Sequence, residues 1–444
     1  GAVIFDMAPL LASRHRDRPE RDAFLWLWER NGRPANKAFL ADLIAQFDDA
    51  APVHGNPGEM GWPLADFRPG TGYASFRSSW DRDALYFLFQ TEQGEARIKG
   101  QAHEHPDPNA FILHGFGEML LLDSGYGKWE FHDATRFSEN HNLILVDGQG
   151  PFGASQSGFW RANGADANLD RYFFSRGLDF ARSRTSYSFS SIVADFTRYA
   201  LFAGRRYFIL YDSISNTQQP RIYTLLLHGN GGGTSGGTFT QLPDGARWDR
   251  EKASVRVFCQ GTNNLTSGIA PLTFETQDLS HAVYQSSPLQ THTTLKVSQQ
   301  GVSAHFLTLL FPQKAGVPIP AVAQQPVVPE SGGGGFRLAL EDAAHICVMK
   351  ERGTSLSFTE GADTMTTDAD LTWLRIMPDG SIGSCFIING SAVSGTRGGF
   401  IQLAGQGNLY AHFENPRRMT GYIQTDNQNT ITLYRFNPGK VYFQ

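Results

Sequence analysis

The sequence predicts a mainly β protein: an antiparallel two-layer β-sandwich, with a small β domain after it and a few helices before it. Three observations carry this prediction. The 444 residues include 47 glycines and 33 phenylalanines, a composition suited to many strands joined by tight turns. From about Tyr73 onward, apolar residues recur at strand spacing with no helical period between the runs. Turn dipeptides such as Asp147-Gly148, Asn230-Gly231 and Asp244-Gly245 separate many of the runs, as expected for antiparallel sheets stacked on one another.

The elements follow in chain order. Residues 1–50 read as helices. Phe24 to Trp28 form an aromatic segment between Pro19 and Asn31-Gly32, and Asn36 is placed to cap a helix carrying Phe39, Leu40, Leu43, Ile44 and Phe47. A helical part is expected over 1–65, a sandwich over 66–325 and a smaller β domain over 326–444. Strands are expected at 84–90, 110–116, 118–123, 141–147, 192–200, 206–212, 222–228, 253–259 and 304–311. Gly229 to Gly237 reads as a flexible hairpin tip, since it lacks the Lys-Ser/Thr ending of a phosphate-binding loop. Residues 313–335, ending in Ser331 and four glycines, read as a linker or surface excursion. Shorter strands are expected beyond it at 336–340, 345–349, 372–377, 385–389, 408–413 and 430–436, with hairpin turns at Asp379-Gly380 and Asn389-Gly390.

The net charge of -5 gives no global basic field, which argues against a nucleic-acid partner. An acidic polymer would need a local basic patch, and Arg161, Arg171, Arg176, Arg182 and Arg184 are the scattered residues available for one. Cys259, Cys347 and Cys385 are too few and too far apart for a disulfide framework or a cysteine metal site. No apolar run reaches the roughly 20 residues of a membrane span. No signal peptide is legible at the start, and the first residues, Gly1-Ala2-Val3, suggest a processing site or a break within a longer protein.

The chemistry concentrates in His103-Glu104-His105-Pro106-Asp107. If the chain is extended there, both imidazoles project from one face, a start on a metal or proton-transfer site. The run 118–123 ends in Asp123, and the run 141–147 begins with His141. Imidazole and carboxylate are the usual ligands of a zinc-like ion. With 13 histidines in the chain, the pair alone also reads as two hydrogen-bonded, half-buried side chains. Asp107 reads as an orienting group, and Glu104 as a solvated one. Arg136, Lys128 and Trp129, between the ligand strands, suit a substrate carboxylate and a sugar ring. Tyr126 is a possible stand-in acid.

An ordered set of motifs goes further. Gly72-Tyr73-Ala74 with Arg77-Ser78-x-Trp80 comes first, then His103-x-His105-x-Asp107 and Phe111-x-x-x-Gly115. Asp123-x-Gly125-Tyr126, His141-Asn142 and Val146-Asp147-Gly148 follow, and after them Tyr207-Phe208-x-x-x-Asp212 and Leu227-His228. This set resembles the heparinase II/III-like polysaccharide lyases. The resemblance implies an N-terminal α/α toroid whose last helices are residues 1–50, then a central two-layer sandwich and a small β domain. It implies β-elimination at a uronic acid of an acidic polysaccharide, in a periplasmic or secreted setting. On these residues it implies that His103 faces the cleft as a proton carrier, and that His105, Asp123 and His141 hold a metal, zinc first and calcium second. The family's catalytic Tyr and its carboxylate-neutralising Asn or His would belong to the helical part, which makes that part of the enzyme a required partner. In this arrangement His105 would pin its segment through the ion and leave His103 to the substrate.

Two other classes compete. A cupin-like oxygenase or isomerase would use a two-His, one-carboxylate set for Fe(II). A non-catalytic carbohydrate-binding fragment would need no chemistry at all. Metal identity separates the first from a lyase, and an unsaturated product separates the second.

Overall fold

The computed structural model describes residues 8–9, 11–15, 18, 20–32, 56–91, 105–125, 129–151, 167–175, 177–189, 192–215, 219–261, 272–283, 288–328, 333–350, 355–395, 398–415, 418–425, 431–433 and 441–443. Helix α1 (Glu20–Arg30) packs near the first sheet, with Trp26 edge-on to Trp80 at 6.2 Å. Among the described residues the strands make four sheets. The first runs Ala65–Arg68, Tyr73–Arg77, Tyr86–Gln90, Ala110–Gly115 and Glu118–Leu121, each strand antiparallel to the next. The second is Thr273–His281, Gln290–Gly301, Arg221–His228 and Ile144–Val146. The central sheet has eight strands: Thr238–Leu242, Gly245–Asp249, Ala253–Gly261, Ser303–Lys314, Tyr207–Ser215, Ile192–Ala203, Leu178–Phe189 and Asn168–Phe174. The C-terminal sheet collects the eleven strands between Val322 and Phe443, and its last pairing, Val441–Phe443 on Arg418–Gln424, is parallel.

The inner strands of the central sheet, such as Tyr207–Ser215 and Ser303–Lys314, are buried on both faces, which is why they read as near-continuous apolar runs. Along Tyr207–Ser215, Phe208, Leu210 and Ile214 enter one core, and Tyr207, Ile209 and Tyr211 the other. The first core lies against the first and second sheets and is built on phenylalanine. The Phe87 ring stacks within 4.9 Å of Phe208 and 5.2 Å of Phe111, and Phe202 lies 4.3 Å from Phe208. Stacked rings at these spacings add to the apolar burial that drives sandwich formation. The second core joins the central sheet to the C-terminal sheet.

Several expectations are corrected. The expected strand at 141–147 is only Ile144–Val146, because Ser138–Asn140 makes a 3-10 turn just ahead of His141. Gly229–Gly237 is packed rather than a free hairpin tip: it links two sheets, and a Cβ on Gly229 would sit about 2.0 Å from the Trp248 ring. Gly333 to Gly335 are no linker. Gly333–Ala339 is a strand, and a Cβ on Gly335 would meet the Cys347 carbonyl at 2.4 Å, so the close approach of neighbouring backbones requires the missing side chain. Asn389-Gly390 lies inside the long strand Ile382–Gly395, where the register shifts, and is not a hairpin turn. The Asp379-Gly380 turn is present, with the Met377 N–H bonded to the Ser381 carbonyl. The helix expected after Asn36 lies outside the described residues.

One contact between the central and C-terminal sheets makes a pH prediction. The Trp373 indole donates to Tyr207 Oη at 2.9 Å, and the Tyr207 hydroxyl donates to His345 Nδ1 at 2.6 Å. Burial, reinforced by Arg375, lowers His345 to about 4. The unfolded chain, with an ordinary histidine near 6.5, binds the proton more tightly, so stability falls as pH drops from about 6.5 toward 4. At pH 5 the cost is up to about 2 kcal/mol, at 1.36 kcal/mol per pH unit. His345→Gln keeps a neutral partner for Tyr207 and is expected to lose less stability between pH 7 and 5 than the parent. Equal losses in thermal melts of the two proteins would contradict this.

Candidate metal centre

The first sheet and the second sheet meet at a corner. Leu121 bridges Gly229, the Leu122 N–H donates to the His228 carbonyl at 2.8 Å, and the Asn230 N–H donates to the Leu120 carbonyl at 3.0 Å. Asp123 follows the first sheet's last strand, and His141 precedes the second sheet's edge strand Ile144–Val146. His105 opens the segment leading into Ala110–Gly115. These three side chains converge, with one ligand atom from each lying within 4.8 Å of the others.

Local chemistry aims each group. Gly125, at φ +66, lets its own N–H reach back to Asp123 Oδ1 at 2.9 Å, an Asx-type turn that leaves Oδ2 to His141. His141 Nδ1 lies 2.5 Å from that Oδ2 and 3.6 Å from Asp107 Oδ2. Asp107 is buried and accepts from Gln90 Nε2 at 3.1 Å. Ser138 Oγ donates to the Pro106 carbonyl at 2.6 Å, tying the His105 segment to the turn before His141.

Burial opposes charge on His141, but Asp123 and Asp107 outweigh it and raise the imidazole to about 9. Burial would raise Asp123, yet His141 and the Gly125 N–H hold it well below the usual carboxylate range. His105 goes the other way: burial, with the neighbouring His141 charge, lowers it to about 3, which keeps it a neutral ligand. Without a metal, the proton on His141 supplies the positive charge of the cluster.

The residues fit a zinc-like ion. Two imidazoles and a carboxylate are a common donor set, and two rings on one tetrahedral ion have centroids roughly 5 Å apart, given Zn–N distances of about 2.0–2.1 Å. The His105 and His141 rings are 5.1 Å apart.

The other expected site residues fare differently. His103 and Tyr126 lie outside the described residues. Trp129 opens the 3-10 helix Trp129–Ala134. Arg136 is mostly buried, pairs with Asp133 at 2.9 Å and lies 4.8 Å over the Phe137 ring. Arg182 and Arg184 both bond Asp170 at 2.7 Å, so they present no simple basic patch; Arg161 and Arg176 lie outside the described residues.

Other histidines near the site were not singled out as site residues from the sequence. His132 is buried with its ring 5.5 Å from His105. His228, His292 and His281 form a buried chain, with Nδ1 to Nε2 at 2.9 Å and Nδ1 to Nδ1 at 3.1 Å. His228 Nε2 lies 3.1 Å from the His141 carbonyl. Only His228, within Leu227-His228, carried a sequence signal.

No curated protein matches the chain. Solved structures that share its fold include a heparinase III and a heparan sulfate lyase. A crystal structure of heparinase III aligns with TM-score 0.51 and 12% identity, over 65% of this chain and 42% of its own. The heparan sulfate lyase HepC from Pedobacter heparinus aligns with TM-score 0.50 and 16% identity, over 76% of this chain and 49% of its own. The chain thus spans less than half the length of either. The profile described as heparinase II/III-like, C-terminal, matches residues 60–302 and so encloses His105, Asp123 and His141. By that match over more than half its length, the chain belongs to the heparinase II/III-like family.

Proposed function

We propose that this chain is the sandwich-bearing part of a polysaccharide lyase that cleaves a uronic-acid-containing acidic polysaccharide by β-elimination. The observation that carries the reading is the His105, Asp123 and His141 cluster, placed in the family's own region two residues after His103. In the proposed organisation residues 1–65 end a helical domain, 66–325 form the sandwich and 326–444 the smaller β domain.

Elimination requires removal of the C5 proton, which is acidified when the neighbouring carboxylate is neutralised, and protonation of the departing O4. Histidine suits either transfer because its ordinary pKa lies near neutrality. His103 is the proton carrier of this chain, and a Tyr from the helical part is the second. His105, Asp123 and His141 hold the ion, most simply zinc, which supplies a fixed positive charge that anchors the segment after His103. Arg136, with Trp129 and Tyr126 on the same excursion, contacts the substrate; Asp133 is exposed, so Arg136 can exchange it for a uronate carboxylate.

Among the described residues no helix is long and apolar enough to cross a membrane. A periplasmic or secreted setting is part of the proposal, supported by what is usual in the family. Family membership favours this reading over the cupin alternative.

The test uses the protein with its helical part present, on heparan-type and alginate-type polymers and on the same polymers with carboxylates esterified. The expected result is an ultraviolet-absorbing unsaturated product from at least one acidic polymer. The absence of any such product across the panel would overturn the reading.

A further inference from the structure

The corner that carries the ligands has little regular structure of its own. The first sheet ends at Leu121, the neighbouring strand ends at His228, a single backbone bridge from Leu121 to Gly229 joins them, and side chains supply further ties. Asn142, fully buried, donates from Nδ2 to the carbonyls of Phe111 and Leu122 at 2.8 and 2.9 Å, and its Oδ1 accepts the His228 N–H at 2.8 Å. Leu122 adjoins Asp123, and Asn142 adjoins His141, so one amide ties both ligand-bearing segments to the strand after His105.

Arg198 reaches the same place from the central sheet. It is fully buried between the Phe111 and Phe196 rings, each 5.2 Å from its guanidinium carbon. Nε and Nη2 donate to the Asp212 carboxylate at 2.7 and 2.9 Å. Nη1 donates to two main-chain carbonyls, Asn109 at 2.6 Å and Asn142 at 2.7 Å. A buried ion pair is weak evidence of added stability, since apolar residues of similar size often fill such a site equally well. Joining one carbonyl downstream of His105 to another next to His141 takes a planar donor held in a fixed orientation, and the Asp212 fork provides that orientation.

We infer that Arg198 and Asp212 are positioning residues for the metal triad, setting the spacing between the His105–Asn109 segment and His141–Asn142. This rests on the reading that the triad holds an ion. Arg198 touches neither ion nor substrate; it acts through the two backbone segments.

The test is the double variant Arg198→Met, Asp212→Leu, compared with the parent in three measurements. These are Zn²⁺ affinity by chelator competition, thermal midpoint, and hydrogen exchange of peptides covering 105–111 and 141–146 in metal-free protein. Zinc affinity is expected to fall by roughly 10–100-fold, the usual size of such outer-shell effects. The melting midpoint should stay close to the parent's, and exchange should speed up in those two peptides but not in 371–376. Parent-like zinc affinity with parent-like exchange would overturn the inference. If the double variant does not fold, Asp212→Asn, which leaves one acceptor for Arg198, is expected to show a smaller change in the same measurements, and its absence counts equally against the inference. If the parent itself binds no Zn²⁺, the ion reading fails, and the exchange data alone decide the positioning role: faster exchange in the two peptides supports it, and unchanged exchange overturns it.

Discussion

His103→Ala is expected to lower turnover on an acidic polysaccharide by roughly 10²–10⁴-fold, the usual contribution of a general acid–base group, while metal content and thermal midpoint stay at parent values. His105 belongs to the ligand cluster, and Pro106 and Asp107 after it are buried and bonded to Ser138 and Gln90. Under the proposal, His103 lies two positions before that anchor and serves the substrate rather than the ion. Elemental analysis and steady-state kinetics on the same preparation separate the two roles. Wild-type rates, or a loss of metal matching that of His105→Ala, would contradict the division of labour.

His141→Ala is expected to abolish stoichiometric metal binding and to destabilise the metal-free protein as well. The imidazole is fully buried and 2.5 Å from Asp123 Oδ2. Removing it leaves Asp123 and Asp107 facing each other without their shared cation. Breaking one side of a buried pair typically costs about 3–5 kcal/mol; because Asp123 is partly exposed, the lower part of that range is the expectation here. Metal binding is coupled to folding, so chelation of the parent should lower its midpoint too. His141→Ala should then be insensitive to chelator. A variant that retains one equivalent of metal, or a parent whose melting ignores chelation, would contradict the assignment.

How much was legible in advance follows from where the information sits. The inner strands of the central sheet were readable because burial on both faces favours apolar runs, as in Tyr207–Ser215, which begins with five buried aromatic or aliphatic residues. Edge strands were not. Thr273–His281 is largely exposed and reads TFETQDLSH, and Asn168–Phe174 at the rim of the central sheet reads NLDRYFF with only Leu169 and Phe173 buried, so neither shows an apolar run. The glycines before Phe336 look like a linker in one dimension, because only the neighbouring strand explains why they lack side chains. Of the site, Asp123 and His141 were visible as ligand types at the ends of apolar runs. Asn142 and Arg198 were seen only as a motif position and an ordinary strand residue. Their roles depend on carbonyls up to 89 positions away in the chain, as in the bond from Arg198 to Asn109, and no local pattern encodes that.

The central claim is the bond-breaking chemistry, and the oxygen of the new chain ends tests it most directly. The protein with its helical part would be incubated with an acidic polysaccharide in heavy-oxygen water, and the products weighed by mass spectrometry. Elimination takes nothing from water, so the account predicts products free of heavy oxygen, one end of each pair carrying the unsaturated uronate. Heavy oxygen incorporated at each cleavage, with saturated ends on both sides, would mean hydrolysis and would contradict the account.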